Sequence, residues 1–461
     1  MDPQQEVPKR SGLWFGESLK EHQDVRLLDK TALVVCPTLA LFAFMLFWPI
    51  ISQINFEEVF FTPLVPFLMA ALSLLGILKN EAMRILFIVS LMISTVGVYL
   101  LVRDLTKRHL TAILAALIYM LPPVPVFVLT YARQGLYQVE LEAARNFLTI
   151  VYGDGGQFLG LALIPFAMIF LLRYLKSAAK IDLLLTVLLC SLIFLASRSQ
   201  AFNLLLILAI VSLTEFFLGM ARVKIRRFLL VVVLSLGLVA FWYTPGFLIE
   251  SLLLYKNQLA LNIRFLFPLF FILGLIVMFF AFVFFAKRAR RQPIFVALLL
   301  AVVYLAIILE WFLERQALVP HTHRLFANLN MFLAIVLALA AAGIFDKLRL
   351  LEKLGVARWS AFAKSLGAIV FAIVSFVILV FLALTFSPYV VLLLAGSGGV
   401  WTKISLQVLA DRQDAQALAG ENFKLIRLET NAWQMSLGVI LSLVFLSYLL
   451  LLLIRDREVE E

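Results

Sequence analysis

Again and again this chain strings together about twenty mostly apolar residues, the length an α-helix needs to cross the roughly 30 Å hydrocarbon layer of a bilayer. Twelve such runs are legible, at 31–51, 85–102, 110–129, 158–175, 181–196, 201–220, 228–243, 265–286, 293–312, 325–345, 365–386 and 433–454. A thirteenth, 63–78, is shorter and opens with Pro63 and Pro66. The composition agrees: 63% of residues are hydrophobic and only 15% charged, against roughly 45–50% and 25% in soluble domains. Too little polar surface remains to cover a water-soluble globule. Disordered chains, fibres, nucleic-acid-binding modules and disulfide scaffolds are excluded on the same ground. Cys36 and Cys190 each sit inside an apolar run and read as small buried hydrophobes. The expected fold class is therefore all-α, a polytopic membrane protein.

Basic residues orient the spans, because Lys and Arg in short loops favour the cytoplasmic side. If 63–78 does not cross and the N-terminus is cytoplasmic, most of the 39 Lys and Arg fall inside. They include Arg103, Lys107 and Arg108, then Arg173, Lys176 and Lys180, then Arg222 to Arg227. If 63–78 does cross, every later loop flips and the bias disappears. The expectation is about 12 transmembrane helices with both termini cytoplasmic, and 63–78 as a re-entrant or juxtamembrane helix at the outer face. Residues 1–30 form a polar segment of mixed charge, and the first run follows it directly as an uncleaved helix. Residues 31–386 form the main transmembrane domain, 387–432 an external loop, and 433–461 the last span with a cytoplasmic tail.

The outer loops then carry the groups able to do chemistry. Loop 52–84 holds Glu57 and Glu58; loop 130–157 holds Arg133, Glu140, Glu142, Arg145 and Asp154; the connection at 313–324 holds His321, His323 and Arg324. The inner loops are short and basic. Within the spans, Asp182, Glu215 and Glu310 all fall near ends, so the midplane ionisable groups usual in ion-coupled transport are lacking. Asn203, Asn262, Asn328 and Asn330 lie near outer helix ends and are expected to cap helices or bond across them. Each candidate also has a plainer reading. Glu57 and Glu58 fit solvated loop carboxylates, Glu140 and Glu142 an ordinary loop–helix face, and Asp154 in YGDGG a turn or cap. Arg324 at a span end fits an interfacial anchor.

The run VGVYLLVRDLTKRHLTAILAALIYMLPPVPVFVL, from Val96, resembles the second and third helices of the GT-C superfamily of membrane glycosyltransferases. TPLVPFLMAALSLLGILKNEAMR, from Thr62, resembles the proline-led juxtamembrane helix that follows the first acidic motif there. HTHRLFANLNMFLAIVLALAAAG, from His321, resembles the late histidine- and arginine-led helix of related multispan proteins. As a pattern of helices the resemblance covers most of residues 31–345. It implies a GT-C-like fold that moves sugar from a polyprenyl-phosphate donor to an extracytoplasmic acceptor in the plasma (inner) membrane. By that resemblance Glu57 or Glu58 serves as base, Glu140, Glu142 or Asp154 supplies the second acidic motif, and His321, His323 or Arg324, with Arg133, holds the lipid phosphate. The sequence departs from the pattern in having Glu where Asp is usual, and Thr62–Pro63 where histidine–proline–proline is usual.

Chemistry asks for the same kinds of group. Transfer from a lipid phosphate needs a base at the acceptor hydroxyl and cations facing the phosphate as it leaves. His321 and His323 could also share a divalent metal with an outer carboxylate, though no third ligand is fixed. Two other readings stay open. SRSQAFNLLLILAI, from Ser197, faintly resembles a helix start in O-antigen ligases and polysaccharide polymerases, which would make Arg198 essential. Alternatively the chain is a non-catalytic lipid-binding or transport subunit of an envelope-assembly complex. The expected partners are a lipid-linked sugar, membrane lipids and, on that last reading, other envelope-assembly subunits, with no nucleic acid.

Overall fold

A computed structural model describes residues 29–51, 59–120, 155–217, 221–254, 292–314, 325–347, 424–425 and 431–460. These residues are almost entirely helical. In chain order come α1 (Lys30–Ile51), β1 (Val59–Phe60), α2 (Leu64–Leu74), α3 (Lys79–Thr106), α4 (His109–Met120), α5 (Gly155–Ser177) and α6 (Lys180–Ala196). There follow α7 (Arg198–Phe217), α8 (Ala221–Leu238), α9 (Pro245–Leu254), α10 (Gln292–Glu314), α11 (Leu325–Lys347), β2 (Lys424–Leu425) and α12 (Ala432–Glu460). Apolar runs become helices because hydrocarbon offers the backbone no other partner than itself. Polar residues mark where they begin and end. Asp29 caps α1, its Oδ1 accepting the Ala32 N–H at 2.8 Å. α3 closes on Lys107 in the left-handed region (φ 57), whose N–H donates to the Arg103 carbonyl at 2.7 Å.

Among the described residues, three helices are long and apolar enough to cross a membrane: α3, residues Gly156–Ser177 of α5, and Ala432–Leu452 of α12. They mark a membrane-associated protein. α3 lies at the centre, packed on α1, α4 and α5, with Tyr99, Phe87 and Leu91 fully buried. Phe87 meets Phe158 of α5 at a centroid distance of 4.2 Å. From α5 the array continues through α6, α7 and α8, while α11 joins α4 to α10. α12 is the outlier: 11% of its apolar window is buried, against 67% in α3 and 72% in α5. It leans on α8 and leaves Leu437, Ile440, Leu443 and Val444 exposed. Gly438 permits that contact, since a Cβ there would collide with the Ala240 carbonyl of the chain leaving α8.

The helix ends sort into two layers. At the near end, Asp29 (start of α1), Arg103 (end of α3) and His109 (start of α4) touch one another. Arg173, near the end of α5, reaches Asp104 beside them, and α6 begins three residues after α5 closes. The other ends of these helices therefore face away. There Ala196 of α6 accepts a bond from Thr62, and Gln200 of α7 pairs with Asn328 of α11. The carbonyl of Tyr119 in α4 meets Asn330. α10 packs on α11 with Tyr304 stacked on Phe332 (5.7 Å), and so short a link makes them antiparallel neighbours. Ile51, Met120, Gly155, Glu314 and Leu325 thus all lie at the far end.

Most expected spans overlap helices, but among the described residues only α3, α5 and α12 are long and apolar enough to cross, so the expected count of about twelve is not reached. Segment 63–78 forms α2, whose 11 residues cover only about 16 Å at 1.5 Å per residue. It cannot cross, and it packs on α3, α5 and α6 near the far end. The helix expected at 228–243 is α8, which starts earlier, at Ala221, and finishes at Leu238, after which the chain turns through Trp242 to Thr244. Basic residues are good helix formers, so the helix runs back through Arg222–Arg227 although a hydropathy window excludes them. α9 was not expected. The runs at 265–286 and 365–386 lie outside the described residues.

Candidate functional site

At the far end, a short stretch ahead of α2 gathers contacts from four parts of the chain. The Thr62 hydroxyl donates to the Ala196 carbonyl at 2.8 Å, and the Trp242 indole N–H donates to the Phe61 carbonyl at 3.0 Å. The Tyr243 hydroxyl donates to the Phe194 carbonyl at 2.6 Å. The Arg198 guanidinium rests over the Phe61 ring, 3.9 Å from its centroid, a geometry worth about 0.5–2 kcal/mol according to its exposure. Beside this, Val59 and Phe60 pair in parallel with Lys424 and Leu425. Two stretches expected as external loops, 52–84 and 387–432, therefore meet here. Arg198 opens α7 directly after Ser197, which is in extended conformation. A guanidinium beside a helix N-terminus favours an anion.

Behind Arg198 lies a layer of buried amides. The Gln200 Nε2 donates to Asn328 Oδ1 and the Asn328 Nδ2 donates back to Gln200 Oε1, each at 3.2 Å. Asn203 Nδ2 reaches both acceptors at 3.4 Å, and Asn330 Nδ2 reaches the Tyr119 carbonyl at 3.4 Å. The expected bonding across helices is thus seen for Asn203, Asn328 and Asn330; Asn262 lies outside the described residues. Each such bond contributes about 0.6 kcal/mol in a membrane protein. Gly160 of α5 makes the layer close-packed, because a Cβ there would come within 2.8 Å of Gln200 Cβ. The layer fixes the ends of α4, α5, α7 and α11 relative to one another.

The residues singled out from sequence for catalysis, Glu57, Glu58, Glu140, Glu142 and Asp154, lie outside the described residues, as do Arg133, His321, His323 and Arg324. Their flanking anchors are described. Ile51 and Val59 bracket the first pair, Met120 and Gly155 bracket residues 121–154, and Glu314 and Leu325 bracket the His/Arg cluster. All of these helix ends belong to the far end. Among the described residues no three His, Cys, Asp or Glu side chains converge where a metal could sit.

Sequence reading missed a second polar cluster, at the near end. Asp29 Oδ2 accepts from Arg103 Nη2 at 2.7 Å and lies 3.1 Å from His109 Nε2. The other ring nitrogen of His109 is 2.8 Å from the hydroxyl of Tyr99, which is fully buried. Next to it Asp104 accepts from Arg173 at 2.7 Å and from Lys107 at 3.1 Å. Arg227 of α8 donates to the Leu175 carbonyl at 2.7 Å, covering the end of α5. Burial raises the Asp29 carboxyl, but the Ala32 amide, His109 and Arg103 outweigh it and hold the group below the usual carboxylate range. Burial, helped by Arg103, overrides the pull of Asp29 and leaves His109 below its ordinary value. The available signal was an Asp at a helix start, with Arg103, Lys107 and Arg108 assigned to one side by charge bias.

Comparison of the chain with protein-family models, with curated proteins and with solved structures gives no match.

Proposed function

We propose that this protein is a multi-pass membrane glycosyltransferase of GT-C type, moving a sugar from a polyprenyl-phosphate donor to an acceptor on the side of the bilayer opposite its N-terminus. One observation carries the reading. The helix ends that flank Glu57/Glu58, residues 121–154 and His321–Arg324 all belong to the far end, away from Asp29. Carboxylates and cations that leave one end of a bundle share one aqueous compartment. The near end holds Arg103, Lys107, Arg173 and Arg227 in ordered contacts, and this bias supports a cytoplasmic near end, about twelve spans and both termini inside. Such a topology suits the inner membrane of a prokaryote. α2 supports a lipid donor: Phe67, Leu74, Leu75 and Leu78 on and after it are exposed apolar side chains, fit to line a lateral entrance for an isoprenoid chain.

In the proposed step, Glu57 or Glu58 takes the proton of the acceptor hydroxyl, whose oxygen attacks the anomeric carbon. The carbon–oxygen bond to the lipid phosphate breaks with inversion, and the phosphate keeps the bonding electrons. Arg324 and His323, with His321 and Arg133, face the charge as it develops. Glu140, Glu142 or Asp154 orients the acceptor. Replacing Glu57 and Glu58 together by Gln is expected to lower transfer at least ~100-fold while the protein stays folded. Full activity in that variant ends the assignment.

A second reading rests on Arg198, which is held over Phe61 at the start of α7. In a ligase- or polymerase-like enzyme this cation, rather than a loop carboxylate, carries the phosphate. Arg198→Ala would then abolish turnover while Glu57→Gln leaves it intact. Tolerance of both changes, with lipid still bound, points instead to a non-catalytic lipid-binding subunit.

A further inference from the structure

Tyr99, His109, Asp29 and Arg103 form one hydrogen-bonded chain across α3, α4 and the cap of α1, at the end that the proposed transfer does not use. The contacts select a single tautomer. If the His109 proton sat on Nδ1, the lone pair of Nε2 would face the Asp29 carboxylate at 3.1 Å, which is repulsive. With the proton on Nε2, His109 donates to Asp29 and its bare Nδ1 accepts the Tyr99 hydroxyl at 2.8 Å. Both contacts are then satisfied, and the ring is neutral.

Adding a proton spoils this arrangement in two ways. Nδ1 becomes a donor, so the Tyr99 hydrogen must turn away, inside a site where Tyr99 is fully buried and has no second polar partner among the described residues. A buried hydroxyl left without an acceptor is costly. The imidazolium is drawn to Asp29, but burial penalises its charge and the Arg103 guanidinium sits on the same carboxylate oxygen, and together these outweigh that pull. The groups facing His109 are Asp29, the cap of α1, and Tyr99 and Arg103 from α3; Cys36 of α1 faces Tyr99, and Lys107 and Arg108 precede His109 in the turn. α11, on the other side of α4, carries no ionisable side chain from Leu325 to Gly343, and its last turn, at the same end as His109, brings Asp346 and Lys347.

We propose that His109 is a pH-sensitive latch: neutral, it ties the start of α1 to the α3–α4 turn, and protonated, it releases Tyr99 and loosens that junction. The latch stands apart from the glycosyltransferase reading, since none of its residues belongs to the far end. Its sign follows from the direction of the His109 shift. Its contribution to stability is complete above the ordinary histidine value of about 6.5 and is lost as pH falls through the lower, folded value. Asp29, held below the carboxylate range, stays ionised throughout that window.

The test uses the full chain in detergent micelles, with thermal midpoints recorded between pH 7.5 and pH 5. The native protein is expected to lose several degrees over that range, whereas His109→Gln stays flat. Gln keeps an acceptor for Tyr99 and a donor for Asp29 but cannot take up a proton. An equal loss in both proteins overturns the latch. A second arm needs no His109 substitution: with His22, His321 and His323 changed to Gln, NMR follows the remaining imidazole. A midpoint below 6.5 that rises in Tyr99→Phe supports the proposal, and a midpoint at or above 6.5, or one that Tyr99→Phe leaves unmoved, rejects it.

Discussion

The two ends of this bundle solve the same problem with different chemistry. The near end is closed by charge: Asp29 with Arg103 and His109, and Asp104 with Arg173 and Lys107. The far end is closed by neutral groups, the amides of Gln200, Asn203 and Asn328 and the hydroxyl and indole bonds of Thr62, Trp242 and Tyr243. Ion pairs depend on pH and salt; amide pairs do not. On the proposed function, this frame of neutral groups leaves Arg198, over Phe61, as a fixed charge near the reacting groups. The near end, away from those groups, can hold its helices through ions and so can sense acidity.

The sharpest way to break this contrast is to overfill the far end. Gly160→Leu would drive a branched side chain into Gln200 and should cost about 3 kcal/mol or more, read as a collapse of thermal stability at every pH and salt concentration. Next in size is Asp104→Ala, which strips Arg173 of its carboxylate and should cost about 1.5–3 kcal/mol, an effect that shrinks as salt rises. Acidification comes third. Asp29, lowered in the folded state, contributes fully above an unfolded value of about 3.9 and ceases to contribute as pH falls through its folded value. A melt series extended below pH 4 should therefore show a second loss that Asp29→Asn removes. Asn328→Ala should cost only about 1 kcal/mol with no dependence on pH or salt; a salt-dependent loss there would erase the distinction between the ends. The smallest effect is at the near-end turn, where Ala178 adopts φ 60. Ala178→Gly should stabilise by up to about 1 kcal/mol.

Helices were legible in the sequence because hydrocarbon leaves an apolar run no alternative conformation. Expected 181–196 and observed Lys180–Ala196 differ by one residue. The short, proline-led run at 63–78 was also recognisable as something other than a span, and α2 is too short to cross. Boundaries failed where charge and helix part company, as at Ala221–Arg227, since hydropathy reads side chains while the backbone follows propensity. α9 escaped because ten residues beginning at Pro245 are too few to register as a span. The amide layer was foreseen in part, from four asparagines near helix ends. Gln200, its central member, was not, because a polar residue at a helix start reads first as solvated. The near-end chain was out of reach. Asp29 and His109 lie 80 residues apart, and each taken alone is an ordinary terminal charge; only the antiparallel packing of α1 on α3 makes them partners.

On the proposed topology the bilayer separates the two ends of the bundle. In a chain with Cys36→Ser and Cys190→Ala, single cysteines at positions 57, 324 and 107 can be challenged with a membrane-impermeant maleimide on intact cells. With the far end outside, Glu57→Cys and Arg324→Cys react from outside, while Lys107→Cys reacts only after the membrane is opened. Reaction of Glu57→Cys and Arg324→Cys from opposite sides would contradict that topology, because no single sugar donor could then meet both.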